Sequence, residues 1–125
     1  MKVIIAGSRS IKGELGERAV RAGVWLAQTL GWEITEVVCG KARGIDTSGE
    51  DWANRHGIPV KPFPVEKADW QKHGDAAGPL RNAVMAKYAD ALLAVTNGSS
   101  GTANMIKQAK ARNLPVIVIE IPYIA

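Results

Sequence analysis

Five short apolar runs punctuate the chain, and longer stretches with helical spacing lie between them. The runs are KVIIAG at 2–7, ITEVVCG at 34–40, IPVKPFP at 58–64, ALLAVT at 91–96 and PVIVIEI at 115–121. Val- and Ile-rich runs alternating with helical patterns predict a parallel α/β sheet. Residues 3–6 and 116–119 are apolar without interruption, as expected of strands covered by helices on both faces. Pro62 can donate nothing to a ladder, so its run belongs at a sheet edge.

Four helices are predicted between the runs. Over 14–31, Leu15, Ala19, Ala22, Leu26 and Leu30 recur at spacings of three and four and form an apolar stripe. Val24 and Trp25 fall off that stripe and are expected to touch a second subunit, which predicts a homo-oligomer. A helix over 47–56 opens on TSGE at 47–50, a Ser/Thr-x-x-Glu capping box. A third covers 79–89 with Pro79 in its first turn, and a fourth covers 102–112. There is no internal repeat, linker or low-complexity tract, and 125 residues correspond to one domain with its own core.

Right-handed crossovers leave few topologies for five parallel strands. The order 3-2-1-4-5 is expected, giving a Rossmann-like three-layer α/β/α domain. In such sheets ligands bind beyond the carboxyl ends of the strands, at the switch point where the winding reverses. That rule selects GSRS at 7–10, GKARGID at 40–46 and TNGSSGT at 96–102. All three are rich in Gly, Ser, Thr or Arg, whereas Gly31-Trp32 and Asn113-Leu114 at the opposite edge have no such character.

In the last of these loops, Gly98 and Gly101 allow close backbone approach, and Ser99, Ser100 and Thr102 add hydroxyls at a helix N-terminus. This is the chemistry of a phosphate site; the plainer reading is a turn with Thr102 or Ser100 as N-cap. Gly7, Ser8 and Arg9 supply small residues and one guanidinium, which either clamps an anion bidentately or pairs with Glu14. Gly40, Lys41, Arg43, Gly44 and Asp46 bring two cations and an acid. Asp46 either N-caps the following helix or serves a ribose or an acid/base step. Ala42 stands where a Walker A loop needs Ser or Thr, and GSRSIKG is no dinucleotide fingerprint, so P-loop and nicotinamide or flavin chemistry are disfavoured.

Composition narrows the partners. A net charge of +4 fits an anionic ligand and is compatible with nucleic acid. One cysteine, Cys39, permits neither an intrachain disulfide nor a Cys-rich metal site, and His56 and His73 have no ligand spacing. No metal or cofactor is therefore expected. The opening run is too short for a signal peptide and no run approaches a membrane span, so a cytoplasmic protein without a membrane partner is expected.

Four segments together carry a family resemblance: AGSR at 6–9, GKARGID at 40–46, ADWQKHGDAAGPLRNAVMAKYAD at 68–90 and GSSGT at 98–102. On them the chain resembles the SLOG superfamily of nucleotide-ligand domains, in particular the YspA-like branch of bacteria and phages. The resemblance implies that residues 65–78 carry the chain back across the carboxyl edge. Gly78-Pro79 would then start a helix that brings Arg81 and Asn82 to the ligand. Among relatives, the LOG phosphoribohydrolases imply N-glycosidic hydrolysis of a nucleoside monophosphate. Arg81 lies where they carry an Arg on the helix before strand 4, but their catalytic Glu falls on Met105, and Asp46, Asp75 or Asp90 would have to replace it. The Rossmann domain of the DNA-processing protein DprA shares ARGID and RN. It implies single-stranded DNA held by Lys41, Arg43 and Arg81, with Trp70 as the base-stacking candidate. The main expectation is a bound nucleotide or nucleotide-derived small molecule, with Arg81 and Asp46 the candidate catalytic pair and nucleic acid the lesser alternative.

Overall fold

Residues 1–122 are described by the structure, a computed structural model. The strand β1 (Lys2–Gly7) sits at the centre of the sheet, and Val3 to Ala6 are buried on both faces. It is flanked by β2 (Glu36–Cys39) and β4 (Ala91–Thr96), and the edges are β3 (Val60–Pro62) and β5 (Val116–Glu120). All pairings are parallel and the order is β3-β2-β1-β4-β5. Topology and edge position for Pro62 are as expected. β5 differs: as the other edge it is only partly covered, and Val118 is 38% exposed.

Two apolar cores lie on the two faces. On one, α1 (Gly13–Thr29) and α2 (Ile45–Arg55) cover Val3, Ile5, Val37, Leu93 and Val95. On the other, α4 (Ala77–Tyr88) and α5 (Ser100–Ala111) cover Ile4, Ala6, Val38, Leu92 and Ala94. The strict in-and-out alternation of these residues is the period-two signature of a strand buried on both sides.

Two predicted helix features are corrected. The buried stripe of α1 is Gly16, Ala19, Val20, Gly23, Val24 and Ala27, while Leu15 and Leu30 are 51% and 62% exposed. Val24 is core rather than interface, and of the off-stripe pair only Trp25 is exposed. Close approach explains the choice: a Cβ on Gly23 would stand 2.7 Å from Leu93, so small residues are what let the helix lie on the sheet. The second correction concerns α2, which starts at Ile45 behind Gly44, two residues earlier than the capping box requires. Gly44 has φ +73, and a Cβ there would stand 2.5 Å from the Ser8 carbonyl oxygen. The helix begins where only glycine fits, and no side chain caps it. The hydroxyls of Thr47 and Ser48 reach back instead to the carbonyls of Ala42 and Gly44.

Between β3 and α4 the chain forms a short helix, α3 (Lys67–His73), and a single 3₁₀ turn (Gly74–Ala76). Neither contains a buried residue. The α3 N-terminus is closed by a reciprocal capping box between Glu66 and Asp69.

Candidate functional site

An open cleft of about 690 Å³ lies over the carboxyl ends of β1 and β4. Its walls are the β1–α1 loop, the first turn of α2, the α3 and 3₁₀ segment, the first two turns of α4 and the N-terminus of α5. This is the switch point between the two halves of the sheet.

The α5 end is built from backbone and hydroxyl groups. Ser99 is its N-cap residue, rather than Ser100 or Thr102, and its side chain caps no helical N–H. The first intrahelical bond runs from Ala103 N–H to the Ser99 carbonyl, so the N–H groups of Ser100, Gly101 and Thr102 have no helical acceptor. The hydroxyls are occupied by one another. Ser8 Oγ lies 2.8 Å from Ser99 Oγ, which lies 2.9 Å from Thr102 Oγ1, and Ser8 Oγ accepts the Asn97 N–H. They tie the β1 loop to the β4 loop. Gly98 has φ +100 and accommodates the turn between them.

Arg9 is exposed at the rim and has no ion-pair or hydrogen-bond partner among the described residues. The alternative pairing with Glu14 does not form, because Glu14 bonds Arg18 at 2.7 Å. Arg81 is differently held. Its Nη1 donates to the carbonyls of Gly40 at 2.5 Å and Phe63 at 3.2 Å, and its Nε donates to Asn82 Oδ1 at 3.1 Å. Asn82, 6% exposed, passes the connection on by donating to Asn104 Oδ1 at 3.1 Å and the Gly101 carbonyl at 3.4 Å. Arg81 and Asn82 thus brace the ends of β2 and β3 against α4 and α5. No hydrogen bond engages Nη2 of Arg81 among the described residues.

Asp46, 5% exposed, is the buried carboxylate of the cleft. It is the second residue of α2 rather than its cap, and Oδ2 accepts the Ala42 N–H at 3.2 Å. Burial pushes its carboxyl above the ordinary range, against the lowering pull of the Ala42 and Gly7 N–H groups and of the Arg81 and Arg9 charges. Burial likewise lowers Arg81 from its usual value, with Asp46 opposing. Both groups crowd Gly40: a Cβ there would stand 2.8 Å from Arg81 Nη1 and 2.8 Å from Asp46 Oδ2. Cys39 beside them is buried, and burial pushes its thiol up to about 12, which makes it no nucleophile.

Twelve of the sequence-predicted site residues line the cleft: Gly7, Ser8, Arg9, Asp46, Trp70, Gly78, Arg81, Asn82, Ser99, Ser100, Gly101 and Thr102. Gly40, Lys41, Arg43, Gly44 and Gly98 do not. Lys41 Nζ is turned to Glu50 at 2.8 Å, and Arg43 is exposed beside the cleft. Asp75, expected as a possible replacement for the missing Glu, also lines the cleft, and the geometry adds Ser10, Ala42 and Asn104, together with Met105, which is 1% exposed on the cleft floor. Asn104 follows Gly101 by one helical turn, a spacing that could have marked it. Trp70, 43% exposed, and Asp75 stand on the α3 side. Among the described residues no group of His, Cys, Asp and Glu is arranged to hold a metal ion.

Fold and cleft together define a Rossmann-like α/β protein with an open site at its topological switch point. The chain belongs to the family of the Gene 61 protein of Mycobacterium phage D29, with 33% identity over 132 residues, spanning 93% of this chain and 94% of that protein. No family model matches the sequence. In fold it is similar to DNA processing protein A (DprA) from Streptococcus pneumoniae, with a TM-score of 0.72 at 21% identity over 94% of this chain. It spans about half of that structure, 49% of its length. No helix among the described residues is long and apolar enough to cross a membrane.

Proposed function

We propose that this protein is a SLOG-type domain of the YspA-like kind, and that its cleft binds a nucleotide or nucleotide-derived phosphorylated small molecule. One observation carries the reading. The N–H groups of Ser100, Gly101 and Thr102 at the start of α5, unpartnered among the described residues, open onto the same cleft as Arg9, which has no ion-pair partner among those residues. Backbone N–H groups at the positive end of a helix, with a free guanidinium opposite, are complementary to a phosphate. Trp70 on the facing wall offers its indole to a base, with Asp75 beside it. Gly101 leaves the start of α5 open, since a Cβ there would meet nothing within 4 Å, and Arg81 keeps Nη2 for the sugar or a second phosphate.

Binding without cleavage is the reading favoured by Met105, a thioether where the resemblance to the LOG phosphoribohydrolases puts their catalytic Glu. Isothermal titration calorimetry with AMP, ADP-ribose and adenosine tests it. The expected result is binding of the phosphorylated compounds, at least about tenfold weaker binding of adenosine, and a similar loss in Arg9→Ala. Adenosine binding as tightly as AMP, or no binding by any of them, would overturn it. Chromatography of the same mixtures is expected to show no free base; release abolished by Asp46→Asn would instead make the protein a hydrolase.

A second reading rests on the likeness to DprA and on the exposed Arg9 and Arg43 at the same sheet edge. It assigns the edge to single-stranded DNA and predicts oligonucleotide affinity that falls steeply with salt. The salt slope separates a multi-phosphate contact from a single bound nucleotide.

A further inference from the structure

The two edges of the sheet are finished differently. β3 is three residues long, and its Lys61 and Pro62 are exposed, devices that discourage a further strand from pairing. β5 is five residues long, VIVIE, with neither Lys nor Pro inside it. Its inner side pairs β4 from Leu92↔Val116 to Thr96↔Glu120. Pro115 accepts from Leu92 and Ile121 donates to Thr96, so the odd-numbered residues bond inward. The N–H and C=O groups of Val116, Val118 and Glu120 therefore point out of the sheet. No strand stands beside them among the described residues. Close to this edge, α1 packs over β4 and β5, and Leu15, Leu26 and the C-cap Leu30 lie on the side of the helix opposite Glu17, which pairs with Arg55 of α2. Leu15 and Leu30 are both more than half exposed.

We propose that this edge joins two copies of the chain, β5 pairing antiparallel with β5 of a second copy about a two-fold axis at Val118. The sheet then continues through both copies, and the α1 leucines flank the seam. A second copy is the occupant because the strand is complementary to itself in that register. Val118 opposes Val118, and Val116 opposes the partner's Glu120. All three outward-facing residues are then used, each pair exchanging two hydrogen bonds. The strand's one charge never meets its like. Shifting the axis to Ile119 would set Val116 against the partner's Pro122, which has no N–H, and shifting it to Glu120 would oppose two carboxylates.

Sedimentation velocity on the full chain tests this, with Val118→Lys and, because that change touches the sheet, Leu30→Lys, which does not. Wild type is expected to sediment as a dimer at about 50 µM, and each variant is expected to raise the dimer dissociation constant at least about tenfold while keeping its far-UV circular dichroism. Wild type remaining a monomer at about 100 µM would overturn the proposal, as would a folded Val118→Lys that dimerises as well as wild type. Nucleotide titration on the same samples reads the cleft separately, since none of these positions lines it.

Discussion

Arg81 shows how one side chain can belong to both the scaffold and the site. Two backbone carbonyls and the Asn82 amide fix its guanidinium, so a ligand would meet a cation whose position is already determined. Asp46 faces it across Gly40 without forming an ion pair, so burial is only partly offset, by hydrogen bonds and distant charge rather than by direct contact. This has a pH consequence. The folded carboxyl titrates above its unfolded value, so between those values the folded chain holds a proton that the unfolded chain has released. Stability then falls as pH rises through that window, and the charge at Asp46 costs least in acid. Denaturant unfolding of wild type and Asp46→Asn from about pH 4 to about pH 7 is expected to show wild type losing ground to the variant as pH rises. An advantage for wild type that grows with pH would show that the arginine charges outweigh burial.

At the scale of elements, α1 is the informative case. Its leucines advertise one face, but the face laid on the sheet is lined by glycine, alanine and valine, because contact distance rather than side-chain size sets that interface. Gly23→Val is expected to destabilise the fold by about 1–3 kcal/mol, as overpacking against Leu93 does in a dense core. Ala22→Gln, one position away on the exposed face, is expected to stay within about 0.5 kcal/mol. Equal losses in thermal melts would return the stripe to the leucines. α3 represents the opposite extreme: without a buried residue it has no periodic signature, so only the family resemblance pointed to its passage across the edge.

Over the whole molecule, the strands and their order were legible because β-branched runs and the handedness of crossovers constrain them strongly. The cleft's position followed from the switch point. The internal bonding of the site was not legible, since Ser8 with Ser99 and Arg81 with Gly40 are pairs separated by 91 and 41 residues of sequence. The same contrast orders stability. Hydrogen exchange is expected to be slowest in β1 and β4, whose central residues are fully buried, and fastest across residues 66–76. Protection across 66–76 equal to that of β4 would show that the cleft wall is part of the cooperative core.

The string of hydroxyls across the cleft floor can be ordered in either of two senses. Each hydroxyl carries one proton, and Ser8 Oγ already receives the Asn97 N–H. If Ser8 gives its own proton to Ser99, then Ser99 gives its proton to Thr102, and the Thr102 proton is left to point outward. An anion at the start of α5 favours that sense over its reverse, since it turns the last hydroxyl into a donor. In that sense the three rotors would set together, linking the start of α5 to the end of β1 through hydroxyl protons alone.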